Sequence, residues 1–219
     1  MSEPRIPPRP VAEWDAEVRD ALSVLAMPDN AAARAAEARA AAARAATSAQ
    51  DAQPTGERPQ RRPVSNMVGI FTWHPALTKA FLTFNNHLFR STLSDRVREM
   101  VTVRVGWLRR GEYEWAQHVA MARAAGMSEE EISAISEGPG WQGWSPLEAA
   151  LLRAVDEMVA DRYISDETWQ ALAKQLDRKE LMDLVFTVGT YDLLAMAFNT
   201  FGLELDPGMS GFPPSAELD

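Results

Sequence analysis

The 219-residue sequence contains no cysteine. Without a thiol the chain can form no disulfide, no thiolate metal site and no iron–sulfur cluster. Peroxidase chemistry that cycles a cysteine between reduced and oxidised forms is excluded for the same reason. Histidine is scarce as well, with three residues in the chain, so few side chains titrate near neutral pH.

Positive charge is also in short supply, with 22 lysine and arginine residues against 31 acidic residues and a net charge of −9. An acidic surface repels phosphate backbones, so we expect no nucleic-acid partner. Arg58, Arg61 and Arg62 do cluster, but they stand beside prolines with no aromatic residues between them. That composition is typical of a solvated linker.

Long apolar runs are missing too. The first ten residues lack the apolar segment of a secretory signal. No stretch approaches the roughly 20 apolar residues that a membrane-spanning helix needs. We therefore expect a cytoplasmic protein with no membrane partner.

Helical periodicity dominates the sequence, and strand patterns are almost absent. A chain of this length can bury about 70% of its unfolded surface as one domain, and we predict an all-α fold. Pro75, Ser94 and Ser165 indicate helix starts, whereas Gly126 and Gly202 indicate helix ends. Three capping boxes indicate further starts, at Ser128 with Glu131, Ser145 with Glu148, and Asp177 with Glu180.

Composition divides the chain into four parts. Residues 1–28 are an N-terminal arm with a helix that packs on the body, and residues 29–63 combine an alanine-rich helix with a flexible linker. Residues 64–207 form the main domain, and residues 208–219 are a C-terminal tail. The last long helix of the main domain is apolar nearly all round, so we place it at the centre of a bundle or in a subunit interface.

One histidine stands in a pattern that indicates chemistry. Glu114 and His118 are four residues apart and therefore share one face of a helix. A carboxylate and an imidazole on an apolar stripe must be hydrogen-bonded, form an ion pair or take part in the chemistry of a site. His74 is interpreted as a helix cap or a packing residue. His87 is either a pocket residue or a histidine satisfied on a helix face.

A metal ion shared by Glu114 and His118 is an alternative. Carboxylate-bridged di-iron bundles use Glu and His at a spacing of three, usually in pairs. This sequence has a single pair at a spacing of four, so we assign no metal ligands.

The region around these residues resembles a known family. Glu99, Gly111, Glu114 and His118 reproduce the Glu-x11-Cys-x2-Cys-x3-His frame of the AhpD-like alkylhydroperoxidases, with both cysteines replaced. The related carboxymuconolactone decarboxylases keep the Glu-x3-His part. The similarity continues in flanking segments and covers about 64–207 and 5–25.

The resemblance implies an AhpD-like helical bundle that forms a homo-oligomer (a dimer, trimer or hexamer), with a pocket near a subunit contact. It also implies a lyase of the carboxymuconolactone decarboxylase type that needs no cofactor. The expected substrate is a small lactone or keto acid that reacts through an enolate. His118 is then the proton donor or acceptor, and Glu99 or Glu114 orients its ring.

Two other functions fit the same residues. One is an isomerase or dehydratase of a small carbonyl compound, because a neutral substrate would need no nearby cation. An anionic substrate needs one, for which Arg98 and Arg104 are the candidates. The other is a binding or assembly protein that keeps the fold without catalysis. The candidate substrate-binding residues are Tyr113, Trp115, Gln117, His87 and Tyr191.

Overall fold

The computed structural model describes residues 3–26 and 64–213 of the chain. Within these two ranges the regular structure is helical and contains no strand, which confirms the predicted all-α fold. The predicted alanine-rich helix and linker at 29–63 lie outside the described residues, as do the last six residues of the tail.

Nine α-helices occur in the described ranges, and two short 3-10 segments, Val11–Glu13 and Ser23–Ala26, flank the first of them. The helices are α1 (Ala16–Leu22), α2 (Asn66–Phe71), α3 (Pro75–Leu88), α4 (Asp95–Leu108), α5 (Glu112–Ala124), α6 (Glu129–Glu137), α7 (Pro146–Asp161), α8 (Asp166–Ala173) and α9 (Arg178–Phe201).

Local sequence signals set the helix boundaries. All three predicted capping boxes form with both of their hydrogen bonds, at the starts of α6, α7 and α9. Pro75 is the first residue of α3, and the ring of His74 caps this helix by accepting the Leu77 N–H at 3.3 Å. Gly202 ends α9 with a φ of 73°, a conformation that favours glycine.

Helix α4 lies at the centre of the bundle, where it contacts α5, α6, α7 and α9. Every residue from Arg98 to Gly106 is buried. Arg104 joins three helices, because its guanidinium bonds Asp156 on α7 at 2.7 and 3.0 Å and the carbonyls of Ile135 and Ser136 at the end of α6.

Helix α9 is apolar on two opposite faces, but only one of them packs against the core. Its exposed face carries Met182, Val185, Phe186, Leu193 and Met196. By length and composition α9 is long and apolar enough to cross a membrane, so the expectation that no stretch approaches that length is wrong. However, 56% of its apolar window is buried in the bundle, as in the core helix of a soluble domain.

Both described ends of the chain pack on the bundle. Helix α1 contacts α3, and the backbone N–H of Ile6 donates to the carbonyl of Phe201 at 3.2 Å. In the predicted C-terminal tail, Phe212 packs against Trp107 and Trp115, with ring centroids 5.5 and 5.4 Å apart. The described part of the tail is therefore a packed segment of the domain.

We expect Gly138→Ala to lower the free energy of unfolding by about 2 kcal/mol. Gly138 ends α6 with a φ of 96°, and a Cβ there would lie 2.6 Å from Nη2 of Arg104. The substitution therefore adds backbone strain and displaces a buried guanidinium. Urea denaturation of both proteins measures the difference.

Gly126→Ala is the matched control, since Gly126 also follows a helix with a positive φ, of 89°, but a Cβ there meets no atom within 4 Å. There we expect a smaller loss, of about 1 kcal/mol, from backbone strain alone. Equal effects of the two substitutions would contradict the structural role given to Gly138.

Candidate active site

A cavity of about 150 Å³ lies between α2, α3, α5 and α9. Most of its wall is apolar. The polar residues that line it include Asn85, Asn86, Tyr113, Glu114, Gln117, His118 and Tyr191. No lysine or arginine is among the lining residues that the structure describes.

His118 is held by a buried carboxylate from the central helix. Its Nδ1 lies 2.7 Å from Oε2 of Glu99, and the two residues are 7% and 1% exposed. A carboxylate accepts hydrogen bonds, so the hydrogen resides on Nδ1 and the lone pair on Nε2. The other oxygen of Glu99 accepts from Nε of Arg98 at 3.0 Å. The result is a fixed imidazole whose Nε2 is not engaged by Glu99.

The ring of Tyr191 also contacts the imidazole of His118. It packs edge-on against the His118 ring, with centroids 4.6 Å apart and an interplanar angle of 78°. Burial raises the pKa of Tyr191, and the negative charge of Glu99 raises it further. Tyr191 is therefore a neutral wall residue that limits the orientations of the imidazole.

Glu114 is the second acidic residue of the site, and it lacks the hydrogen-bond partners that Glu99 has. It lines the cavity at 3% exposure, and neither carboxyl oxygen has a hydrogen-bond partner among the described residues. Burial raises the pKa of Glu114 to about 7. Of the two glutamates proposed to orient His118, the structure brings Glu99 into contact and leaves Glu114 unbonded.

Tyr113 and Gln117 line the cavity as predicted, but their hydrogen-bond donors are already used. The Tyr113 hydroxyl donates to Asp206 at 2.8 Å, and the Gln117 amide donates to the Tyr113 oxygen and to Asp206, each at 3.1 Å. Burial and the charge of Asp206 raise the pKa of Tyr113. These two residues therefore shape the site, and Asp206, which the sequence analysis did not single out, holds them in place.

Two predicted substrate-binding residues lie elsewhere. His87 projects away from the cavity and pairs with Asp183, with Nε2 to Oδ1 at 2.7 Å, while its side chain remains 58% exposed. Trp115 is buried on the opposite side of α5, where it lines a second cavity, of about 450 Å³, with Trp107. Both predictions are corrected because tertiary packing takes these side chains elsewhere: His87 to Asp183, and Trp115 to Trp107 and Phe212.

Several residues of the cavity wall were not predicted from the sequence, among them two asparagines and a phenylalanine. Asn85, Asn86 and Phe89 come from the end of α3 and the residue after it, in the same run that contains His87. Oδ1 of Asn85 is buried and has no partner among the described residues. The available signal was a pair of amides beside aromatic residues, but it does not tell which side of α3 faces the core.

Neither candidate arginine supplies a cation to the cavity. Arg98 bonds Glu99 and Asp95, whereas Arg104 bonds Asp156 and α6. Among the described residues no group of three or more histidine, aspartate or glutamate side chains is placed to hold a metal ion. The polar chemistry of this cavity rests on His118 with Glu99, on Glu114 and on Asn85.

Comparison with solved structures shows an AhpD-like helical fold. One similar structure is the alkylhydroperoxidase AhpD core of an uncharacterised peroxidase-related protein from Ralstonia eutropha JMP134. It is 16% identical with a TM-score of 0.62, and the match covers 92% of this chain and 93% of that one. An uncharacterised peroxidase-related protein from Silicibacter sp. TM1040 is 17% identical with a TM-score of 0.60, over 66% and 78% of the two chains.

A similarity to a known family lies in the sequence of the central helices. Residues 75–157, which include Glu99, Glu114 and His118, match the model of the carboxymuconolactone decarboxylase family. No curated protein matches the chain.

We expect Glu114→Gln to remove a pH dependence of stability. In the folded chain the Glu114 pKa is about 7, against an ordinary value of 4.5. Between these values the folded state holds a proton that the unfolded state has released. Stability from this group is therefore complete below pH 4.5 and is lost as the pH rises to 7, by roughly 3 kcal/mol. Denaturant titrations from pH 4.5 to 8 measure this loss.

Glu130→Gln is the control, because Glu130 is an exposed residue of α6. It should leave the pH profile of wild type unchanged. A Glu114→Gln protein whose stability keeps the wild-type slope between pH 5 and 7 would show that Glu114 is not a buried neutral acid.

Proposed function

We propose that the protein is an acid–base enzyme that moves a proton at a carbon atom next to a carbonyl group, without a cofactor. The observation that carries this proposal is the imidazole of His118, fixed by Glu99 at the wall of an apolar cavity. Fixing the tautomer and the ring orientation in advance is what general acid–base catalysis requires.

The reaction uses His118 twice. Nε2 removes the proton from the carbon next to the carbonyl, and the electron pair of the broken C–H bond moves onto the carbonyl oxygen to form an enolate. The protonated imidazole then returns the proton to a different carbon of the delocalised system. The product is an isomer, no electrons are gained or lost, and Glu99 stabilises the transient imidazolium.

The cavity favours a small neutral substrate. A void of about 150 Å³ admits a molecule of roughly the size of benzene. A substrate carboxylate would enter an apolar space whose described wall contains no lysine or arginine, and desolvating an unpaired charge is costly. Isomerisation of a neutral carbonyl compound is therefore our first candidate.

Decarboxylation of a lactone or keto acid is the second candidate, and the family match of residues 75–157 favours it. In that reaction the bond to the carboxyl carbon breaks, CO2 leaves, and its bonding electrons form the same enolate. His118 must then start as imidazolium and deliver its proton to carbon, and solvent replaces that proton. The peroxidase-related names of the structural relatives do not transfer, since no cysteine is present.

The test uses two probes that share one ring, cyclohexanone and 2-oxocyclohexanecarboxylate. Exchange of the ketone's α-hydrogens with D2O, followed by NMR, reports enolate formation, and CO2 release reports decarboxylation. We expect His118→Gln to lower the accelerated rate 10²–10⁴-fold, because it removes the base. Glu99→Gln should lower it less, since it leaves the imidazole in place without its anionic partner.

His87→Gln is the matched control, because His87 is exposed and lies outside the cavity. Its rate should equal that of wild type. If wild type accelerates neither reaction above the His118→Gln level, the non-catalytic binding function is the better account of the site. Release of CO2 without exchange of the ketone's α-hydrogens would favour decarboxylation over isomerisation.

We also propose that the exposed face of α9 binds a second copy of the chain. Met182 and Met196 stand seven residues on either side of Gly189, and Val185 and Leu193 stand four residues on either side. In an antiparallel pair of α9 helices that cross at Gly189, Met182 of one copy would thus face Met196 of the other, and Val185 would face Leu193. A two-fold interface has this self-complementary arrangement. Five large apolar side chains on this face are exposed, which is typical of an interaction surface.

Leu193→Glu should convert the oligomer to a monomer in sedimentation velocity at micromolar concentration. Leu193 is 55% exposed on α9, and in the proposed pair a charge at this position would be buried against the apolar Val185 of the second copy. Tyr163→Glu, at a residue that is 65% exposed away from α9, should leave the oligomer intact. A monomeric wild-type protein would contradict this proposal.

A further inference from the structure

The cavity wall contains polar atoms that the protein itself leaves unsatisfied. Both carboxyl oxygens of Glu114 and Oδ1 of Asn85 are buried without a partner among the described residues. Such atoms are costly, because each gives up hydrogen bonds to water and gains none in return. Two residues of this kind beside one cavity indicate that a ligand supplies their missing partners.

The missing side chain at position 111 explains how the carboxyl of Glu114 is accommodated. A Cβ on Gly111 would lie 2.7 Å from Oε2 of Glu114 and 3.1 Å from the methyl group of Ala195. The glycine therefore forms a recess in which the carboxyl group rests. Any larger residue at position 111 would push that carboxyl group away from its position.

Among the described residues no charged group bonds the carboxyl group of Glu114. The titratable groups near it are Tyr191 on α9, whose pKa the Glu114 charge raises, and His118, which lines the same cavity from the same helix. Arg98 and Glu99 on α4 also act on Tyr191. Arg98 is bonded to Glu99, and the imidazole of His118 also bonds Glu99. Burial raises the pKa of Glu114 to about 7, so the neutral acid is populated at physiological pH.

We propose that Glu114 acts as a neutral carboxylic acid whose O–H donates a hydrogen bond to the carbonyl oxygen of an uncharged ligand in the cavity. The ligand is a small, mainly apolar carbonyl compound, and Asn85 is available to a second polar group. An apolar site can keep a carboxylic acid neutral for this purpose.

This inference deepens the proposed function, because it names the group that receives the oxygen on which the enolate charge develops. Glu114 keeps its proton throughout, and its hydrogen bond strengthens as negative charge accumulates on the ligand oxygen. The site then has two acidic residues in different roles: Glu99 ionised behind the histidine, and Glu114 neutral in front of the oxygen.

The test is equilibrium binding of cyclohexanone to the full chain, followed by NMR at pH 6 and pH 8.5. Methylenecyclohexane, which has the same ring and no oxygen, is the matched ligand. Wild type should bind cyclohexanone roughly 10–30-fold more tightly at pH 6, because the donor is lost as Glu114 ionises. Methylenecyclohexane should show a clearly smaller change with pH.

Two variants of Glu114 distinguish the effect of its hydrogen-bond donor from the effect of its negative charge. Glu114→Gln keeps an N–H donor at every pH and should bind cyclohexanone with no pH dependence. Glu114→Leu removes the donor and an unsatisfied polar group, so it should fold and bind both ligands equally at both pH values. A wild-type pH profile that survives in either variant, or an equal pH dependence for both ligands, would overturn the proposal. Absence of cyclohexanone binding at millimolar concentration would also overturn it.

His118→Gln distinguishes this inference from the proposed function. The variant should bind cyclohexanone with the wild-type pH profile, since His118 is not the donor, while it loses proton exchange at carbon. Loss of the pH profile in this variant would assign the titration to the histidine and overturn the role of Glu114. Intact binding without turnover in wild type would refute the enzyme and leave the donor role of Glu114 supported.

Discussion

The buried contact between Glu99 and His118 joins the centre of the fold to the cavity. Glu99 belongs to α4, the helix against which α5, α6, α7 and α9 pack, and it is 1% exposed. A carboxyl group at this depth needs hydrogen-bond partners, and Arg98 and His118 supply one for each oxygen. The requirement to satisfy this buried group therefore fixes the imidazole at the wall of the cavity.

The two acidic residues of the site differ in chemistry because they differ in neighbours. Glu99 has hydrogen-bond donors on both oxygens, whereas Glu114, one helix away, has none among the described residues. Burial without compensation raises the pKa of Glu114. Pairs of titratable groups whose environments separate their protonation states are typical of sites that run acid and base steps together.

The sequence was sufficient for the fold class, the helix starts and the two residues of the Glu99–His118 contact. Capping boxes are local, so Ser128, Ser145 and Asp177 were correctly identified as helix starts. Glu99 and His118 came from a spaced motif, and the structure brings them into contact. The capping boxes involve residues three positions apart, and the spaced motif is a pattern that a known family shares.

The direction in which a side chain points was not predictable from the sequence as reliably as the helix starts were. His87 and Asn85 are two residues apart on α3, yet His87 faces Asp183 and Asn85 faces the cavity. Tyr113 and Gln117 were correctly placed at the cavity, but their bonds to Asp206 depend on a residue 89 or more positions away. Which face of a helix is buried, and which donors are already taken, are decided by tertiary packing.

The recess at Gly111 also constrains the order in which this site can change during evolution. A side chain can enter position 111 without a collision only after the residue at 114 has become shorter, because the two occupy the same space. Introduction of a pair of thiols at these two positions would thus have to pass first through a shorter residue at 114, a state with neither a carboxylic acid nor a redox pair. Positions 111 and 114 are expected to vary together among descendants of this chain.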